Sequence, residues 1–412
     1  MSTAKPSSSS PQIYDVYHQK FIGDGIPKDA ESWQLRARQV AEILAEDAAS
    51  RDIQNKSPRA EVALLKSSGL LKILGPKSFG GGGQTSIGML LGYHLLWSTT
   101  ANLLGTKEQQ DRFQKLIIES NYFVGGAVNP RDNELKVTLD GEELVFDGFK
   151  NFNTGGVISD LTVLEGIYEG TEAHIYTIVK TDQPGIQFKH NWDNIGLRLT
   201  ESGSVKIEKV RVPWSDAFGW DATNREVIDS VLKIPFATLL LPTIQHVFSN
   251  FYLGIALGAL EAAANYTKTN TRAWPFGGDN KDSPTEEFYI LERYGNFKAH
   301  LLAAEALADR VGADIAQVYE THGERRDISA QARGEVAESV AAVKIVTTET
   351  GLRVTSGIFE VLGSRATGRK WGFDRYWRDI RTHTLHDPVA YKNRELGRYA
   401  LLDEIPEPTW YT

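Results

Sequence analysis

The stretch "RDIRTHTLHDPVAYK", Arg378 to Lys392, holds two of the chain's nine histidines three residues apart, followed at once by an acid and a proline. At helical spacing His383 and His386 lie one turn apart. Imidazole can donate a hydrogen bond near neutral pH, so the pair is a candidate for chemistry. The same spacing also serves to cap the last carbonyls of a helix. As metal ligands the two histidines lack an evident third partner, so the site is read as holding no metal. The chain has no cysteine, which removes disulfides, thiol nucleophiles and thiolate ligands. The glycine run Gly80 to Gly83 lacks the Lys-Ser/Thr of a phosphate loop and reads as a flexible turn.

The elements that must position this pair change period twice. Residues 1–28, with "MSTAKPSSSS", are Ser-rich and polar and read as a disordered or extended tail. Residues 29–120 carry helical spacing, as in "WQLRARQVAEILAEDAA" and "PRAEVALLKSSGLL", the latter broken at Gly69. Thr106 is an N-cap for "KEQQDRFQKLIIES". Residues 121–225 are strand-like, with Asp140-Gly141 marking a hairpin, and predict a mostly antiparallel β domain. Residues 226–412 return to helices too long for steep crossings, which predicts an antiparallel four-helix bundle followed by a tail. The fold class is α+β, mainly α.

Composition narrows the function. The net charge of −8 disfavours a nucleic-acid partner. No uninterrupted apolar run is long enough for a bilayer span, so no membrane partner is expected. The absence of disulfides fits a reducing compartment, and a cytoplasmic location is the expectation.

Four segments in order carry a resemblance: "GLLKILGPKSFGGGG", "GTKEQQDRF", "IGLRLTESGSVKIEKVRVP" and "FEVLGSRATGRKWGFDRYWRDIRTHTLHD". Together they resemble the acyl-CoA dehydrogenase superfamily over nearly the whole chain after residue 30. "YLGIALGALEAA", "TRAW", "GFDRYWR" and "RTHTLHDPVAYK" are more similar to its flavin-dependent monooxygenases of the dibenzothiophene monooxygenase type. The resemblance implies a monooxygenase that uses reduced FMN, supplied by a separate flavin reductase, and molecular oxygen. One oxygen atom would pass from a flavin C4a-hydroperoxide to the sulfur, or nitrogen, of a small organosulfur or amine substrate. FAD is the alternative cofactor. The resemblance also implies a homotetramer that builds its flavin site across subunits.

It further implies roles for single residues. His386 matches the branch's active-site histidine, with His383 orienting it or facing flavin. Tyr93 in "LLGYHLLW" matches an active-site tyrosine, and the adjacent His94 points elsewhere on a helix. Thr154 in "NFNTGG" stands where the branch often has Ser, at a strand end facing flavin. Trp192 matches an indole beside the flavin ring, and Asn129 joins the cofactor-binding set. Arg272 and Arg365 match phosphate-binding arginines, a role that suits a guanidinium fork. Gly363 and Ser364 let the backbone approach the cofactor.

The sequence departs from the branch in three places. Met89 stands where a His is common. Gly125-Gly126-Ala127-Val128 replaces Gly-Asn-Ala-Ser. The stretch between the glycine run and Tyr93 lacks about four turns of a helix that would wall the active site.

Two other readings stay open. In the dehydrogenases the C-terminal segment reads Arg-Asp and then Tyr-Glu-Gly-Thr, and the Glu abstracts a proton from an acyl thioester. Laid from Arg378-Asp379, that pair falls on His386-Asp387, which would make Asp387 the base of an acyl-CoA dehydrogenase. A catalytically inactive structural homologue is the other. The tetrapeptide in "GIYEGTEAH" is a decoy between strand runs, and Glu169 reads as a turn carboxylate.

Overall fold

The computed structural model describes residues 14–73, 89–129 and 131–409. The glycine run Gly80–Gly83, and the place of the missing helix, lie outside the described residues. The chain divides into two compact units: residues 1–193 with 198–237, and residues 194–197 with 238–412.

The first unit begins with α1 (Asp15–Asp24), α2 (Ala30–Glu46), α3 (Ala48–Gln54), α4 (Arg59–Ser68), α5 (Met89–Leu104) and α6 (Lys107–Ser120). The helix α1 corrects the expected tail: the polar start gives way to a segment anchored by Phe21, which is buried with Trp33 of α2. Helix α2 starts on a capping box in which the Asp29 carboxylate accepts the Ser32 N–H at 2.8 Å. Helix α4 stops at Gly69, which takes the left-handed conformation at φ +80°.

The "GTKEQ" motif shows why its residue types recur together. Thr106 caps α6 by accepting the Gln109 N–H, and Gln109 Oε1 accepts the Thr106 N–H in return. The same buried amide donates to the carbonyls of Ser215 and Ala217 and accepts the Gly219 N–H. One glutamine therefore caps a helix and ties it to the segment after the sheet.

That sheet is built from β1 (Val124–Ala127), β2 (Lys136–Asp140), β3 (Glu143–Lys150), β4 (Leu161–Tyr168), β5 (His174–Lys180), β6 (Ile186–Phe188) and β7 (Val205–Pro213). The small pair β8 (Trp220–Asp221) and β9 (Glu226–Val227) follows, with the short helix α7 (Asp229–Leu232). The sheet is mixed. Strands β2–β3, β3–β7, β4–β5 and β6–β7 pair antiparallel, while β4 runs parallel to both β1 and β2. The Asp140-Gly141 signal makes the expected hairpin, with Asp140 opposite Glu143 and Gly141 at φ +65°. The parallel pairs arise because long loops, not hairpins, join these strands. The core is continuous from the helices into the sheet region: Leu91 and Leu95 pack with Phe123 and Ile158.

The second unit is the bundle of α8 (Leu240–Asn270), α9 (Phe288–His322) and α10 (Ala330–Leu362), with α11 (Asp374–His383) and α12 (Val389–Leu402) against it. The stripe Ala256, Ala259 and Ala263 on α8 meets Ala304 and Ala308 of α9 and Val340 and Val343 of α10 in one core. Small side chains let such long helices approach closely. Contrary to the expectation from sequence, the stretch Pro235–Asn270 is long and apolar enough to cross a membrane by length and composition. Its alanine stripe instead faces the bundle core. At Gly351 of α10 an added Cβ would stand 2.2 Å from Ile380 Cδ1, so glycine is what admits α11 onto α10.

Helix α10 also buries Glu338, whose two oxygens have no hydrogen-bond partner among the described residues. Burial first, then the charge of Glu395, raises its pKa from 4.5 to about 7, against the opposing pull of Lys392. The folded acid thus binds its proton more tightly than the unfolded one, so this group's stability is present below about pH 4.5 and is lost as the pH rises through 7. Glu338→Gln should therefore raise the melting temperature at pH 8 and leave it nearly unchanged at pH 4.5, as read by thermal unfolding at both values.

Candidate active site

Helix α11 ends at His383, and His386 sits in the turn that follows, where its N–H donates to the His383 carbonyl at 3.0 Å. The pair thus stands at a helix end. The side chains do something further. The two imidazoles stack with centroids 5.8 Å apart and planes 13° apart. His383 is buried under Phe248 and Phe251 and shares a 2.9 Å hydrogen bond between its Nδ1 and the Tyr252 hydroxyl. Burial, and then the neighbouring His386 and Lys344, hold its pKa well below the usual imidazole value, so it is neutral at pH 7.

His386 is open: its side chain is 47% exposed. Its Nδ1 lies 2.9 Å from Asp387 Oδ1. The other carboxylate oxygen accepts from Lys344 Nζ of α10 and, at 3.3 Å, from Gln245 Nε2 of α8. Burial pushes the Asp387 carboxyl up, but His386 and Lys344 outweigh it and hold it far below the usual carboxylate range. An ionised carboxylate only accepts, so His386 Nδ1 carries the hydrogen and its Nε2 is the nitrogen left to act. Sequence reasoning missed Lys344, Gln245 and Tyr252. The signal for Lys344 was present: it is a lysine between Val340, Val343 and Thr347 on the buried side of α10.

The predicted phosphate ligands gather at the far ends of α8 and α10. The Arg365 guanidinium donates to the Asn270 carbonyl, and Thr271 Oγ1 donates to the Leu362 carbonyl at 3.3 Å. Residues 270–272 and 362–365 are thereby neighbours. Gly363, at φ +79°, turns the chain out of α10 so that Ser364 starts a new short turn. Arg272 and Arg365 are exposed, and neither forms an ion pair among the described residues. Two guanidinium groups without a carboxylate fit a phosphate.

In the first unit Tyr93 is buried on α5, its ring 6.3 Å from that of Trp97. Trp97 explains one departure from the branch: a Cβ on Gly126 would stand 2.4 Å from its indole, so the strand has no room for Asn there. His94 points away from Tyr93's role. Its Nδ1 accepts the Val124 N–H at 3.0 Å and its Nε2 meets the Leu71 carbonyl at 2.9 Å, while burial lowers its pKa to about 4. It is a neutral brace between a helix and β1. Met89 opens α5.

Thr154 is buried, and its hydroxyl pairs with Ser202 Oγ at 2.8 Å. The Trp192 ring meets Phe152 edge-on at 6.3 Å, so the Thr154 loop and the segment after β6 are brought together. The Asn129 side chain accepts the Arg131 N–H at 3.3 Å, and its carbonyl accepts from buried Lys150 at 3.0 Å. Glu169 lies exposed in the turn between β4 and β5, as expected for the decoy. Among the described residues no three His, Asp or Glu side chains converge as metal ligands.

Comparison with known proteins identifies the family. The family model for the acyl-CoA dehydrogenase C-terminal domain matches residues 246–390. Dibenzothiophene monooxygenase of Mycolicibacterium goodii is 34% identical over 398 residues, covering 90% of this chain and 94% of that one. A probable FMNH2-dependent monooxygenase, SfnC, of Pseudomonas putida is 32% identical, covering 91% and 96%. The complex of TdsC from Paenibacillus sp. A11-2 with FMN and indole superposes with a TM-score of 0.85 at 31% identity, covering 93% of this chain and all of that one. The fold and the C-terminal site thus define an acyl-CoA dehydrogenase-type flavoprotein. Within that superfamily, this chain belongs to the flavin-dependent monooxygenases of the dibenzothiophene monooxygenase branch.

If Arg272 and Arg365 hold phosphate, Arg→Ala at either weakens FMN binding by about 1.5–3 kcal/mol, the range for hydrogen bonds to charged groups. Riboflavin, which lacks the phosphate, should bind parent and variants alike in a fluorescence titration. An equal loss for both flavins would remove the phosphate role.

Proposed function

We propose that this chain is a monooxygenase that uses reduced FMN to place one atom of O2 on the sulfur of a small organic substrate. Bound reduced FMN supplies two electrons, so that one oxygen atom ends on sulfur and the other leaves as water. The observation that carries the reading is His386: open to approach, anchored at Nδ1 by an ionised Asp387, with Nε2 directed away from that anchor. Relatives acting on dibenzothiophene and using FMNH2 support the reaction class. The TdsC complex with indole keeps nitrogen heterocycles within the substrate class to be tested.

His386 can take up and return a proton at Nε2, where the reacting oxygen must be kept from escaping as hydrogen peroxide. Neutral His383 stacks beneath it and fixes its plane, and Phe248 keeps water off one side of both rings. Arg272, Arg365 and the backbone of Gly363 and Ser364 hold the phosphate. In the first unit the reading gives Tyr93 and Thr154 as hydroxyl groups toward substrate or flavin, and Asn129 and Trp192 as flavin contacts. A separate flavin reductase supplies the reduced cofactor, in the cytoplasm, which suits a chain without cysteine.

The dehydrogenase alternative fares worse on the electrostatics. A carboxylate held far below its usual range by an ammonium and an imidazole is a weak base for a carbon acid. It is also one methylene shorter than Glu and is followed by Pro388.

His386→Ala should still bind FMN but lose about 10²-fold or more in product formation, with hydrogen peroxide rising in its place. Asp387→Asn should be milder. Dehydrogenation predicts the reverse order. Product by mass spectrometry and peroxide by a coupled assay, on both variants, decide between them.

The assembly is part of the proposal. Phe288, Leu291 and Leu302 share one exposed face of α9, and Tyr391 and Leu402 share one on α12. Such faces support a homotetramer. A stable monomer with full FMN affinity in light scattering would overturn it.

A further inference from the structure

The mechanism above leaves a buried charge beside the site unused. Lys344 is 1% exposed in the middle of α10, where an ammonium is costly unless it is paired. Its Nζ donates to Asp387 Oδ2. That oxygen has a second donor in Gln245, and Asp387 Oδ1 faces His386 Nδ1. The carboxylate is therefore gripped from two helices on one side and presents its other oxygen to the imidazole. The remaining charged groups around Lys344 are Lys392 and Glu395 of α12, and these pair with each other at 2.7 Å. Lys344 thus has Asp387 as its own counter-ion.

We propose that Lys344 is a positioning residue for His386: through Asp387 it fixes the imidazole in the Nδ1–H form and leaves Nε2 as its working nitrogen. This rests on the reading of His386 given above. Without the ammonium, Asp387 Oδ2 would keep only the longer bond to Gln245. The carboxyl would be free to rotate, and once Oδ1 no longer faces Nδ1 the ring's hydrogen can sit on either nitrogen. Lys344 makes no hydrogen bond or ion pair with His386, so the proposed effect passes through Asp387. That requirement gives the proposal its test.

Lys344→Met is compared with the parent without flavin by NMR. The Asp387 carboxyl titration is expected to move up by about 1–3 pH units, as for an acid that loses a cation. The 15N signals of His386 are expected to change from one tautomer to a mixture. FMN affinity should stay within about twofold, and the share of consumed oxygen found in product should fall about tenfold, less than for loss of the ring itself. An unmoved Asp387 titration or an unchanged His386 tautomer overturns the proposal.

Should Lys344→Met fail to fold, the paired variant Lys344→Met/Asp387→Asn removes both charges, an exchange that buried pairs tolerate. It should match Asp387→Asn alone in tautomer and product. A further loss in the pair means that Lys344 acts by another route and overturns the proposal. If His386→Ala makes product like the parent, the role of His386 fails, while the carboxyl and tautomer signals still decide what Lys344 does.

Discussion

The buried pair of Lys344 and Asp387 is the contact on which the C-terminal site depends. Removing two charges from water is costly, and removing only one partner costs more, because the other is left uncompensated. The pair therefore pins the turn between α11 and α12 to the middle of α10. Gly351, two turns further along α10, lets Ile380 sit flat against it and brings α11 down to the same surface. Once both ends are held, His383 on the last turn and His386 in the following one have little choice but to stack. The neutrality of His383 follows from that crowding, since its burial, His386 and Lys344 oppose a charge and outweigh Asp387, which favours one.

The first unit reaches comparable order with mostly neutral groups. His94 spans two elements by accepting from Val124 and donating to Leu71, a pattern that requires a single tautomer and no charge. Gln109 uses its whole amide on a cap and on three backbone groups near the sheet. One exception is Lys150, which is fully buried against Glu165 and donates to the carbonyls of Asn129 and Asp132. In both units a buried lysine orders a loop or turn that carries a proposed site residue.

These arrangements bear on how one superfamily supports two chemistries. A dehydrogenase needs a carboxylate that reaches a carbon acid and accepts its proton. Here the carboxylate is committed on both oxygens, to an ammonium and to an imidazole, and its acidity is correspondingly deepened. The group presented outward is instead a histidine nitrogen. The change in function thus comes from what lies behind the outermost residue as much as from that residue.

Much of this was legible in the sequence, for identifiable reasons. Helix stops at Gly69, the Thr106 cap and the Asp140-Gly141 hairpin are local, since each is settled by a few neighbouring residues. The order of helices, strands and long helices follows from hydrophobic period, and the pairing of His386 with Asp387 from adjacency. Other features depend on residues far apart in the chain. The parallel partners of β4 and the packing of Trp97 on Gly126 fall in this class. So does the grip of Gln245 and Lys344 on Asp387, which joins positions 142 and 43 residues away. The sequence by itself determined the elements, their order and the chemically able side chains, because propensity and period act over a few residues. Only the tertiary structure decided which histidine is buried and neutral, which is open, and which lysine orders them, because burial and charge pairing exist only once distant segments have packed.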